Sequence, residues 1–201
     1  EYFAQVMRGL EPELQTYALN TPLHVRIRHN QVLSDEQVLS LWQACADPKQ
    51  PTAQITFAHQ DDGLLWIDAW LDAPATCELL LSIEANLFLN PIAEQAESVS
   101  AVLLAHADWC KEKNFGAEAF VHRPVQLIDQ TQALADVCLW GGLQATEALY
   151  FTWDLQMPAS LLCDATVALN AAGYPPDSEK RHQVHASLGV PGCAVGNVAL
   201  I

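Results

Sequence analysis

The sequence predicts an α+β fold: a single domain over residues 1–201, with helices packed on a mixed β-sheet of about five to six strands. A chain of 201 residues suits one domain, and no linker or low-complexity segment divides it. Apolar residues make up 51% and charged residues 16%, which is enough to build a core. Segments of helical and of alternating periodicity follow one another along the chain, which favours a mixed sheet.

Two amphipathic helices are predicted near the N-terminus. Apolar residues recur at helical spacing over residues 2–20, with an interruption at Pro12. Over residues 34–47, Ser34 and Gln37 have the spacing of a capping box. The positions that follow at i, i+3, i+4 and i+7 predict one buried stripe, consisting of Val38, Leu41, Trp42 and Cys45.

Strands are predicted where the periodicity is two. Residues 23–29, "LHVRIRH", predict a half-buried strand with Val25 and Ile27 on one face. Residues 54–71 predict a hairpin, with a turn at Asp62-Gly63 and a return strand over residues 66–71. Residues 101–110, "AVLLAHADWC", predict a further strand.

The remaining segments predict helices and one last strand. The apolar run 77–89 favours a helix, and Asn90-Pro91 predicts the start of another. A long helix is predicted from residue 129 to 151, in which Gly141-Gly142 marks close packing or a break. Helices over 158–173 and 177–189 then precede a central strand over 193–201.

Two polar clusters are candidate sites. His24, Arg26 and Arg28 share one strand face in a chain with 9 basic residues. Arginines arranged in this way can bind a phosphate or a carboxylate, and the alternative is that they pair with acidic residues of the chain.

The second cluster is His106, Asp108 and Cys110, which would share one face of the strand over 101–110. Imidazole, carboxylate and thiolate can bind Zn²⁺ or form a thiol active site. The alternative is an apolar strand that ends in a polar turn. We predict no metal, and these three residues are the candidates if ligands converge on them from elsewhere.

Charge limits the classes of partner. With 24 acidic residues the formal net charge is −15, which repels nucleic acid and anionic lipid and favours a basic protein surface. No apolar run is long enough to span a membrane. The six cysteines lie 25 to 33 residues apart without a CxxC pair, which predicts free thiols and a cytoplasmic protein. The oligomeric state is not indicated.

The stretch "RIRHNQVLSDEQVLSLWQACADPKQPTAQITF" resembles the start of nitroreductase-type flavoproteins, in which an arginine-bearing segment precedes a capped helix and a strand. The tail "LGVPGCAVGNVALI" is similar to the closing strand of that family. The resemblance implies that Arg26 and Arg28 meet the phosphate of FMN.

Two functions are therefore predicted. The first is a non-catalytic protein that acts through protein–protein contact without a cofactor, as an adaptor, a chaperone-like factor or a neutralising partner. It follows from the acidity and from the lack of nucleotide-binding and serine-hydrolase motifs. The alternative is an FMN-dependent oxidoreductase of the nitroreductase type.

Overall fold

The computed structural model describes residues 1–59, 63–73, 78–125, 130–142, 151–153, 158–171, 173 and 181–200. By internal contacts the chain groups into two compact units. The first consists of Glu1–Gly63, Leu71–Glu118 and Pro191–Ile201, and the second of Leu64–Trp70 and Ala119–Val190. A single domain over the whole chain stays a prediction.

The described elements follow one another as α1 Tyr2–Gly9, α2 Glu11–Glu13, a π-helical turn Leu14–Ala18, β1 Leu23–His29, α3 Asp35–Cys45, β2 Thr52–Ala58, α4 Leu65–Asp72, β3 Leu79–Asn86, β4 Ser98–Ala105, α5 Ala107–Lys113, α6 Gln130–Trp140, β5 Phe151–Trp153, α7 Ala159–Ala171, β6 Arg181–Gln183, α8 Val184–Leu188, a 3-10 turn Gly192–Ala194 and α9 Val195–Leu200. None of the described helices is long and apolar enough to cross a membrane.

The α+β class is confirmed, and the main sheet is mixed. Its order is β2-β1-β3-β4, with β1 parallel to both β2 and β3 and with β4 antiparallel to β3. Within the described residues this sheet has four strands, where five to six were predicted. The strands β5 and β6 form a two-stranded parallel sheet in the second unit.

The main sheet has two different faces. Its apolar face packs against α1 and α3 to form the core of the first unit, through Leu23, Val25, Ile27, Leu79, Leu81 and Ile83. The parallel register puts the intervening residues of β1 and β3 side by side on the opposite face. This second face, the polar face, carries His24, Arg26, Arg28, Ser82, Glu84 and Ser100. The strand predicted over residues 23–29 is confirmed, but it is not half-buried as predicted, because every residue of β1 except His24 is buried.

The predicted helix α3 is confirmed together with its capping box. Ser34 accepts a hydrogen bond from the Gln37 backbone N–H at 3.3 Å, and the Gln37 side chain accepts one from the Ser34 N–H at 2.8 Å. Val38 and Trp42 are buried as predicted. Leu41 is 38% exposed, so its place in the buried stripe was predicted wrongly.

Residues 66–71, predicted as the return strand of a hairpin, belong to the helix α4, in which Trp66 and Ile67 are buried. The strand β2 instead pairs with β1 in parallel and stands first in the strand order of the sheet, without residues 66–71 beside it. Gly63 has a left-handed φ of 54°. The predicted turn residue Asp62 lies outside the described residues.

The segment 77–89, predicted as a helix, contains the central strand β3. All eight residues of β3 are buried, because helices or turns cover both faces of the sheet here. The start of the run, Leu79–Leu81, is continuously apolar and does not distinguish a strand from a short helix. Residues 81–86 alternate apolar and polar side chains, which is a strand signal that the helix prediction did not use. The helix predicted from Asn90 is absent as well, since residues 91–97 form turns and a single bridge.

The last apolar run, predicted as a central strand, forms the 3-10 turn and α9. Gly192, at φ 55°, opens the turn. Of the long helix predicted from 129 to 151, α6 ends at Trp140, just before Gly142 at φ 62°, and Phe151 lies in β5. Residues 143–150 lie outside the described residues. The helix α7 ends near Gly173, at φ 87°, as predicted.

Candidate functional site

An ion pair is buried on the polar face. Arg26 Nη1 lies 3.2 Å from Glu84 Oε1 and 3.4 Å from Ser82 Oγ, and the Glu84 side chain is 0% exposed. Burial raises the pKa of Glu84, while the Asn197 backbone N–H and Arg26 act in the opposite direction. The alternative that an arginine pairs with an acid of the same chain therefore describes Arg26.

The other two predicted anion-binding residues lie on the same strand but are placed differently. Arg28 is buried, whereas His24 is half-buried, with Nε2 3.1 Å from Thr56 Oγ1. Desolvation lowers the pKa of His24, which favours the neutral ring. Anion binding by His24, Arg26 and Arg28 together stays a prediction.

The helix α9 is attached to the polar face through Asn197, which is fully buried. The Asn197 backbone N–H donates to Glu84 Oε2 at 2.7 Å. Its side-chain Nδ2 donates to the carbonyl oxygens of Ser82 at 2.9 Å and Ser100 at 3.4 Å. One asparagine thus joins α9 to both β3 and β4.

Cys193 lies at the carboxyl end of β3, just before α9. Its Sγ donates to the Ala85 carbonyl oxygen at 3.1 Å and is 3.9 Å from Asn86 Oδ1. The Asn86 side chain is held in turn, because its Nδ2 donates to the Ala96 carbonyl at 2.8 Å. Open α/β sheets bind ligands at the carboxyl ends of their parallel strands, so this half-buried thiol is a candidate site residue.

Two histidines share one carboxylate at the carboxyl ends of β1 and β2. His29 Nε2 is 3.0 Å from Asp35 Oδ1, and His59 Nε2 is 3.2 Å from Asp35 Oδ2. Gln31 holds both rings from the other side: its backbone N–H donates to His29 Nδ1 at 3.1 Å, and its Nε2 is 3.1 Å from His59 Nδ1. Phe57 lies beside both rings, edge-on to His29 and stacked on His59, and the two histidine rings also contact each other edge-on, with ring centroids 6.2 Å apart. This edge of the sheet can accept or relay protons.

The second predicted cluster does not share a strand face. The strand β4 ends at Ala105, His106 is the residue before α5, and Asp108 and Cys110 lie in that helix. Asp108 is instead 3.3 Å from Lys111 Nζ. The strand geometry assumed for His106, Asp108 and Cys110 is therefore wrong. Across the part of the chain that the structure describes, no three His, Cys, Asp or Glu residues are grouped to hold a metal.

The first unit also has a cavity of about 430 Å³ beside α1 and the end of α3. Its lining is mixed, with apolar Met7, Leu14 and Cys45 beside polar Arg8 and Gln50. None of the predicted site residues lines it.

No sequence motif predicts Glu84, Asn197, Cys193 or the His29–Asp35–His59 group as site residues. One signal was available for Glu84, because a single carboxylate inside the apolar run "LLLSIEANLF" is rarely buried without partners. Asn197 and Cys193 become visible only when α9 and the turn before it are placed on β3, and the His29–Asp35–His59 group only when β1 is paired with β2.

No protein family matches this sequence, and no curated protein does either. Solved structures match the fold. ChlB3, an acyltransferase, has a TM-score of 0.59 at 12% identity over 99% of this chain and 74% of its own. A cysteine-to-serine variant of Xanthomonas campestris OleA with bound lauric acid and lauroyl-CoA has a TM-score of 0.56 at 9% identity, covering 99% and 72%. The 3-oxoacyl-[acyl-carrier-protein] synthase III of Aquifex aeolicus has 0.50 at 12%, covering 97% and 72%.

These matches correct both functional predictions. The similar structures are acyltransferases and condensing enzymes, which conflicts with a non-catalytic adaptor that acts through protein–protein contact and with a nitroreductase-type flavoprotein. In fold, this chain is similar to enzymes that transfer and condense acyl groups.

Proposed function

We propose that this chain has a thiolase-like fold and acts in acyl transfer, with Cys193 as the residue that accepts the acyl group. The observation that carries the proposal is the fold likeness, which extends over 97–99% of the chain for ChlB3, OleA and the synthase of Aquifex aeolicus. The position of Cys193 at the carboxyl end of the central strand β3 supports the choice of this thiol.

The step proposed for Cys193 is a thioester exchange. The sulfur attacks the carbonyl carbon of an acyl thioester, forms a new C–S bond and breaks the bond to the donor sulfur. The donor leaves as a thiol and takes up the proton that Cys193 has lost. The product is an acyl group bound to Cys193 Sγ, ready for transfer to a second substrate.

The substrate class proposed is a long-chain acyl thioester. It rests on OleA, whose solved structure contains lauric acid and lauroyl-CoA. Lauroyl-CoA is therefore the first donor to test on this chain.

The first prediction concerns acylation. Incubation with lauroyl-CoA should add one lauroyl group to the protein, and peptide mass spectrometry should locate it on Cys193. Cys193→Ser should abolish the thioester adduct. Cys110→Ser, which removes another half-buried thiol, is the matched control and should retain it. No adduct, or an adduct on another cysteine, would refute the proposal.

A further inference from the structure

We infer that Glu84 is a positioning residue for Cys193: its buried carboxylate seats α9 on the sheet and so holds the Cys193 thiol at the end of β3. The inference rests on the proposed function, which makes Cys193 the reacting thiol. It adds a residue that touches no substrate but determines where the thiol lies.

The carboxylate of Glu84 connects three elements. Arg26 on β1 lies 3.2 Å from Oε1, and the Asn197 backbone N–H of α9 donates to Oε2 at 2.7 Å. A charged acceptor strengthens a buried hydrogen bond, and leaving such a carboxylate without partners is costly. The buried carboxylate of Glu84 on β3 therefore favours the position in which α9 packs on the sheet.

Two glycines permit the close approach that this docking needs. A Cβ at Gly196 would lie 2.9 Å from Glu84 Oε1, which is too close for any side chain without a shift. A Cβ at Gly192 would lie 2.7 Å from Asn86 Oδ1, and the φ of Gly192 is +55°. Cys193 lies between these two contact points, so it cannot move independently of them.

The thiol and the helix are held by adjacent residues of one strand. Cys193 Sγ donates to the carbonyl of Ala85, and Glu84, the preceding residue, accepts the N–H of Asn197. The Ala85 carbonyl also accepts the Asn30 N–H at 3.2 Å, which fixes it at the end of β1. Releasing α9 from Glu84 should therefore release the thiol from Ala85.

The test measures the reactivity of Cys193 towards iodoacetamide, peptide by peptide, with Cys45 and Cys110 of the same molecules as internal references. Removing Glu84 alone would take away the carboxylate that the buried Arg26 guanidinium faces at 3.2 Å. The main variant is therefore Arg26→Met with Glu84→Leu, because apolar residues of similar size often replace a buried ion pair without loss of fold. Gly196→Ala is the second variant, and Gly116→Ala is its matched control, since a Cβ there meets nothing within 4 Å.

In both test variants we expect Cys193 to be alkylated about tenfold faster, the effect of losing one hydrogen bond to a charged group. Cys45 and Cys110 should keep their wild-type rates, and Gly116→Ala should change none of the three. Circular dichroism checks that each variant is folded. If the double variant unfolds, the alkylation rate of Cys193 in Gly196→Ala alone tests the inference.

An unchanged Cys193 rate in a folded variant would overturn the inference. An equal rise at all three cysteines would overturn it too, because that is general loosening. Alkylation needs no acyl donor. A protein that passes this test but never accepts a lauroyl group would therefore refute the proposed function and leave the positioning role of Glu84 standing.

Discussion

Opposing interactions act on the protonation of Glu84. Loss of hydration in the interior favours the protonated form, whereas Arg26 and the Asn197 N–H favour the carboxylate. Burial is the largest of these influences, and it raises the pKa of Glu84. The ionised pair is therefore retained at a cost in stability, which is consistent with a role in positioning.

The raised pKa of Glu84 should make the stability of the protein depend on pH. Because its pKa is raised, folded Glu84 keeps a proton at pH values where the unfolded chain has released it. The free energy of unfolding should fall as pH rises from the ordinary carboxyl pKa through the raised one. Glu84→Gln lacks this titration, so wild type should lose stability relative to Glu84→Gln across that window, as measured by urea unfolding from pH 4 to 8. A relative gain by wild type would mean that Arg26 and Asn197 outweigh burial.

Among the elements, α3 depends on its first turn. The Ser34 hydroxyl accepts from the Gln37 N–H and donates to Glu36 Oε2 at 2.7 Å, and this second bond holds the pKa of Glu36 below its usual range. Asp35, the first residue of the helix, also binds His29 and His59. The first turn of α3 therefore both caps the helix and positions His29 and His59 at the edge of the sheet.

The N-cap Ser34 should contribute measurably to the stability of the protein. Ser34→Ala should lower the free energy of unfolding by about 1 kcal/mol, because one backbone N–H of the first turn loses its acceptor. Ser40→Ala, in the interior of the same helix, is the matched control. Its hydroxyl bonds only back to the Glu36 carbonyl, so the change should stay within about 0.5 kcal/mol. Equal losses in urea unfolding of the two variants would contradict the capping role.

The molecule as a whole carries a formal charge of −15. This charge repels anions at long range, including the phosphates of a coenzyme A thioester. It would also attract a basic protein, and a partner of that kind stays a prediction. For the proposed acyl transfer the charge matters through the rate at which an anionic donor arrives.

The net negative charge should make the rate of Cys193 acylation depend on the salt concentration. Acylation of Cys193 by lauroyl-CoA should become faster as salt rises to physiological ionic strength, because charges are then screened beyond about 8 Å. The neutral N-acetylcysteamine thioester of lauric acid is the control and should react at a rate that salt does not change. A rate with lauroyl-CoA that falls with salt would mean that a local basic region steers the donor despite the net charge.

Local signals in the sequence determined the elements that depend on local physics. The capping box of α3, the alternation in β1 and the glycine after α7 each describe a bond or a backbone angle within a few residues. The alternation also put Arg26 and Arg28 on the same face of β1, where the structure has them.

Only the tertiary structure decided which apolar runs are strands and what the polar face does. The run that became β3 begins with three apolar residues and alternates only from Leu81 to Asn86, and its polar residues are buried as well as its apolar ones. The run that became α9 forms a helix of six residues, which is too short to show a helical period. Glu84 and Asn197 are 113 residues apart in sequence, and Ala85 and Cys193 are 108 residues apart. Such contacts depend on the order in which strands pair and on a helix docking across them, and no local pattern encodes either.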